Sequence, residues 1–224
     1  MNQPNVMETI DSRALAGRRR EISQLRRLET LSDVVYGIAI WRVFMLFPRP
    51  DEPAWNWHSW REFLGAEGMT IVLIAIGVAV LIIYWLQSNT LFSLVERADG
   101  KFAVRAIMQL FSVLLFLFAI RVGTELSPSA WTRGFESFAA LLLGFSSTWM
   151  WTYATKGRRL LHPDVTDEEA RAIGKSIRAE PATATFTLPF IFTPFLWEAA
   201  WFTYPAVRRF FRRVVGQEPK VSQE

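Results

Sequence analysis

Arg27-Leu28-Glu29-Thr30-Leu31-Ser32-Asp33-Val34-Val35-Tyr36-Gly37-Ile38-Ala39-Ile40 places an arginine, a serine and an aspartate at the mouth of an apolar helix. Polar groups entering hydrocarbon are costly, so they pair across helices or line a path. A soluble core helix has no need of this pattern. The flanking chain agrees with a membrane reading. Four stretches carry no charged residue: Met69 to Leu86 (18 residues), Ala106 to Ile120 (15), Ser137 to Thr155 (19) and Pro181 to Trp197 (17). A helix needs about 20 apolar residues to span a bilayer, with a range of roughly 17–25. Phe102 to Val104 extend the second of these runs toward that length.

Composition narrows the classes. Of 224 residues 51% are apolar, and there are 10 Trp and 18 Phe. Cysteine is absent, which removes disulfides and thiolate metal sites. No cleavable signal peptide is visible, because the first thirty residues are polar and basic. The net charge of +4 sits in clusters, so it reports membrane topology better than nucleic-acid binding.

The clusters set the expected topology. Residues 1–30 form a basic cytoplasmic arm carrying Arg13, Arg18, Arg19, Arg20, Arg26 and Arg27, its first twelve residues loose. Ile22, Leu25 and Leu28 have helical spacing, which suits a helix resting on anionic lipid. Further basic clusters are Lys156/Arg158/Arg159 and Arg208/Arg209/Arg212/Arg213. Placing all three on the inside requires an even number of crossings between them. The sequence thus predicts an all-α integral membrane protein with six spans, about 31–47, 69–86, 102–120, 134–155, 176–192 and 195–213. The single transmembrane domain covers 31–213 and a tail covers 214–224. Both termini are cytoplasmic and the membrane is the plasma (inner) membrane. A turn is expected near Thr193-Pro194. A re-entrant hairpin over 181–207, or one fifth span with four arginines outside, are the alternatives. Trp55, Trp57, His58 and Trp60 suit an interfacial stretch between the first two spans, and Trp149, Trp151 and Tyr153 read as an aromatic belt. Asp164, Thr166 and Asp167 precede Glu168-Glu169-Ala170-Arg171, which reads as a helix start with acids in its first turn.

The motif Arg27-x-x-x-Leu31-Ser32-Asp33, followed by Val-Val-Tyr-Gly-Ile-Ala-Ile, resembles the signature that opens the first helix of the transmembrane protein 175 family. Ile83 to Phe92 resembles the end of that family's second helix, and Glu96 to Lys101 its connection to the third. The likeness covers about residues 25–120. It implies six-helix subunits, four of them around a potassium pore lined by the first helix. An isoleucine ring one turn after Ser-Asp would form the constriction, here Ile38, with Trp41 and Met45 at the next inward positions. Arg27, Ser32 and Asp33 would tie that helix to its neighbours. The partners so implied are the lipid bilayer, potassium or another monovalent cation, and identical subunits in a homotetramer. No cofactor, metal or nucleic acid is expected. The chain departs from the family pattern at Leu31 for phenylalanine, at Trp41 for a small residue, and at Ser88 and Asn89 for histidines.

The residues can also be read without the family. Arg27 lies six positions before Asp33, a poor spacing for an ion pair within one helix, so Asp33 needs a partner on another helix. The competing reading makes Ser32-Asp33 the N-cap of an interfacial helix. Arg42 in mid-span costs roughly 2.5–3.5 kcal/mol on insertion scales. It either snorkels past Pro48, faces water, or pairs with Glu125, Glu136 or Glu198, and beside a pore it is a charge barrier to cations. Thr183, Thr185, Thr187 and Thr193 beside Pro189 and Pro194 could give a broken helix a polar face. Catalysis has little support. There are two histidines, no Gly-x-Ser-x-Gly elbow, and no phosphate-binding or dinucleotide loop. Two function classes remain: an ion channel, and a non-conducting membrane scaffold or sensor on the same fold.

Overall fold

α1 runs unbroken from Val6 to Phe44 in a computed structural model of the chain, which describes residues 6–45, 47, 59–126 and 129–213. The basic segment is therefore helical and continuous with the apolar part of α1. Apart from Gly17, residues 6–30 contain neither glycine nor proline, and many are strong helix formers such as Leu, Arg, Glu and Ala. Ser32 and Asp33 lie in mid-helix, which excludes the N-cap reading. The Trp-rich residues 49–58 and the tail 214–224 fall outside the described residues.

α2 covers Trp60–Ser93 and α3 covers Gly100–Glu125. Each starts on a side-chain cap: Ser59 accepts from the Glu62 N–H and Asp99 from the Phe102 N–H. α4 spans Ala130–Thr155 behind a capping box of Ser129 and Thr132. A 3₁₀ turn, Lys156–Arg158, leads toward α5, Asp167–Thr187. Thr166 caps α5 through the Glu169 N–H, with three acids in the first turn. After a second 3₁₀ turn, Leu188–Phe190, the chain reverses into α6 (Pro194–Trp201) and α7 (Tyr204–Arg213). Both of these helices pack back on α5. Among the described residues the fold is all helical, apart from one bridge pairing Val95 with Leu161. Gly100–Gly123 is long and apolar enough by itself to cross a membrane.

Two cores hold the bundle. At one end Leu25, Leu28, Phe92, Phe102, Trp151, Leu161 and Ile177 pack together. This core joins the two short connections through the Glu96 N–H to Leu160 carbonyl bond and the His162 N–H to Leu94 carbonyl bond, both 2.9 Å. The extension of α1 docks here through Arg18 to Glu96 at 2.5 Å and Arg97 to Glu21 at 3.6 Å. The second core gathers Tyr36, Ala39, Val43, Ile74, Leu81, Leu110, Val113 and Leu143 from α1 to α4.

α5 continues straight through Pro181, which removes one backbone donor. Gly144 of α4 sits directly opposite; a Cβ there would lie 2.6 Å from Pro181 Cδ. The proline ring thus occupies the space that the glycine leaves. Thr183, Thr185 and Thr187 turn their hydroxyls onto the carbonyls of Ala179, Pro181 and Ala184 at 2.7–2.8 Å. Each thus bonds its own helix, and Thr187 also meets Ser137 Oγ of α4 at 2.9 Å.

The first helix and its polar anchor

α1 has two faces. Leu25, Leu28, Ser32, Tyr36, Ala39 and Val43 are buried against the other helices. Leu31, Val34, Ile38, Trp41 and Met45 line the opposite side and are exposed. Their spacing of three and four residues is the 3.5-residue period of a seam that meets another helix. Ile38 is 57% and Trp41 58% exposed, so this bulky apolar stripe has no cover among the described residues. Arg42 is exposed in the last turn of α1 and makes no ion pair with Glu136 or Glu198.

Behind the stripe lies a polar anchor. The Tyr36 hydroxyl is 3.2 Å from Ser88 Oγ of α2, and Gln109 of α3 donates to it at 3.1 Å. All three residues are buried, and the Gln109 amide also reaches Ser88 at 3.4 Å. One tyrosine thus joins α1 to two helices in a dry interior, where a satisfied network fixes orientation. One turn earlier, Trp85 Nε1 donates to Asp33 Oδ1 at 2.9 Å. Ser32 is fully buried and its hydroxyl has no partner among the described residues. Arg27 is exposed and unpaired among them. Of the motif, the structure brings Asp33 to α2, buries Ser32, and leaves Arg27 at the surface.

The residues behind the stripe carried weak signals in the sequence. Gln109 is a polar residue within the uncharged run of α3. Glu180 interrupts α5, where it is buried with Oε2 unpartnered, near Tyr84 and Gln87. The aromatic belt reading needs correction at Trp151. Trp151 is buried and donates to the Ala170 carbonyl at 3.1 Å, while Trp149 and Tyr153 clasp Arg105 at 4.5 and 4.0 Å. Trp151 thus serves packing within the bundle, whereas Trp149 meets Arg105 and keeps an exposed face. Among the described residues no group of three or more metal-ligating side chains occurs.

The family model described as the endosomal/lysosomal potassium channel TMEM175 matches residues 27–116, from the first motif arginine to mid-α3. Residues 27–116 carry the TMEM175 family's pattern. The chain is also similar in fold to a variant of the potassium channel MtTMEM175, solved with a nanobody fusion. That match has a TM-score of 0.63 at 17% identity and covers 86% of this chain and 94% of that one. No curated protein matches the chain. The TMEM175 likeness thus spans both the motif and the fold, and both matches are described as potassium channels.

Proposed function

We propose that the chain is an ion channel that passes potassium or another monovalent cation through a pore lined by α1. The uncovered stripe Leu31–Val34–Ile38–Trp41–Met45 carries this reading, because the TMEM175 match begins on the same helix. Six crossings per subunit follow from α1 to α5 and the broken pair α6–α7, with both termini on the cytoplasmic side of the plasma membrane. Four subunits bring four α1 stripes to one axis, and Ile38 forms the narrowest ring. Such a ring offers an ion nothing in exchange for its water, so permeation is set by dehydration in a dry constriction. Ser32 and Asp33, with Tyr36 behind Ile38, hold the stripe at a fixed angle. Arg27 marks the entry of α1 into the bilayer.

A second reading, a non-conducting scaffold or sensor, draws on Trp41 and Arg42. Four indoles crowd a narrow axis, and four guanidinium groups beside it repel cations. Purified protein in liposomes with a potassium gradient separates the two readings. The channel reading expects flux, and expects Ile38→Asn to raise it or to loosen selectivity. Flat traces from both forms would leave the scaffold reading standing.

A further inference from the structure

Between the end of α4 and the first turns of α5 lies a cavity of about 490 Å³. This is within the roughly 300–1,000 Å³ of small-molecule sites and much larger than one bare phosphate requires. Its charged lining is Arg158, Arg171, Lys175 and Arg178, set against the single carboxylate of Asp167. Arg171, Lys175 and Arg178 repeat at four and three residues, so α5 turns all three to one side. Arg158 is already committed: it donates to Asp167 at 2.6 Å and to the carbonyls of Pro163 and Val165. It reaches them from a left-handed backbone at φ 53, after Gly157 at φ 64, a conformation side chains seldom adopt. Lys175 and Arg178 make no ion pair with any described residue. The floor is the Trp151 indole, whose N–H is spent on Ala170, pressed against Gly174.

We propose that this cavity binds a phosphoryl anion carrying more than one negative charge. Two unmatched cations beside two anchored ones suit an oxygen-rich dianion better than a single carboxylate. Basic pockets among membrane helices take up phosphorylated headgroups in this way. The anion can belong to a lipid or be free in solution. A lipid has a further feature to use, because Phe138, Phe145 and Trp149 are exposed along α4 at helical spacing and lead to Thr152 at the rim. An acyl chain can lie on that strip while its phosphate enters the cavity.

The test uses the full chain in detergent, titrated with phosphatidic acid, phosphatidylcholine or inorganic pyrophosphate. Bound adducts are counted by native mass spectrometry. The expected result is a preference of about tenfold or more for a phosphoryl dianion over phosphatidylcholine, lost in the K175Q/R178Q double variant. The R19Q/R20Q control removes the same charge from exposed α1 and should change binding less than about twofold. Binding of phosphatidic acid alone assigns the site to a lipid headgroup; displacement by pyrophosphate assigns it to soluble phosphate. The proposal is overturned if neither probe is preferred over phosphatidylcholine, if K175Q/R178Q binds like the parent, or if R19Q/R20Q weakens binding equally.

Discussion

Gly144→Ala is a sharp test of how α4 and α5 hold together. The added Cβ would lie 2.6 Å from Pro181 Cδ, 2.7 Å from Pro181 N and 3.2 Å from Glu180 Cβ. Comfortable carbon contacts begin near 3.5 Å. The proline ring is fused to its backbone and cannot swing aside, so α5 itself must move. Overpacking of this kind costs about 1–3 kcal/mol. Alanine returns about 0.5–1 kcal/mol through its better helix propensity. The net loss is about 1–2 kcal/mol, which lowers a thermal midpoint by roughly 2–8 °C in a chain of this size. Gly123→Ala is the matched control. Its Cβ would also collide, at 1.8 Å, but with Oε1 at the far end of the Glu136 side chain, which can rotate away. Tryptophan fluorescence during heating of the detergent-purified chain should therefore rank Gly144→Ala well below Gly123→Ala. An unchanged or raised midpoint for Gly144→Ala would refute the close-packing argument.

Tyr36→Phe removes the hydroxyl shared by Ser88 and Gln109, and a loss of about 1–2 kcal/mol is expected. Gln109→Leu leaves the Tyr36–Ser88 pair intact and should cost less; the same melts give the order. Trp85→Phe deprives Asp33 of its donor, whereas Asp33→Asn keeps an acceptor at the same place. Proteoliposome flux should fall in the first and stay near the parent in the second, and the opposite order would mean that charge matters there, not the bond. The docked extension of α1 should respond to acid. Arg18 holds the Glu96 carboxyl below its ordinary value. That contribution is present at neutral pH and disappears only as pH falls through the depressed value, in the range beneath the ordinary glutamate pKa. Amide exchange in residues 15–25 should rise only in that range, while Glu96→Gln should raise it at pH 7.

The sequence reveals some of this fold and hides the rest for identifiable reasons. Uncharged runs mark the helices because the cost of burying charge acts along the chain, residue by residue. The Asp33 spacing shows that no partner exists within α1, yet Trp85 cannot be named, since the pairing depends on how two helices lie together. Tyr36, Ser88 and Gln109 are separated by 52 and 21 residues, and only packing joins them. Pro181 lies inside the expected span 176–192, and α5 does run through it, but the room made by Gly144 of another helix cannot be read from α5 alone. Trp151 has the composition of an interfacial residue, and its burial follows from α5 folding over it. The stripe at Ile38, Trp41 and Met45 is named only by the family resemblance, because residues 34–45 are apolar on nearly every side and their spacing alone selects no face.

The continuity of α1 has a geometric consequence. No break separates Arg18 and Glu21, which are fastened to the α2–α3 connection, from Ile38. The fastening therefore sets the azimuth of the isoleucine about the helix axis. Inserting one residue between the two would advance everything beyond it by about 100°. The phase of the stripe is thus locked by a clamp about 25–30 Å away along the same rod.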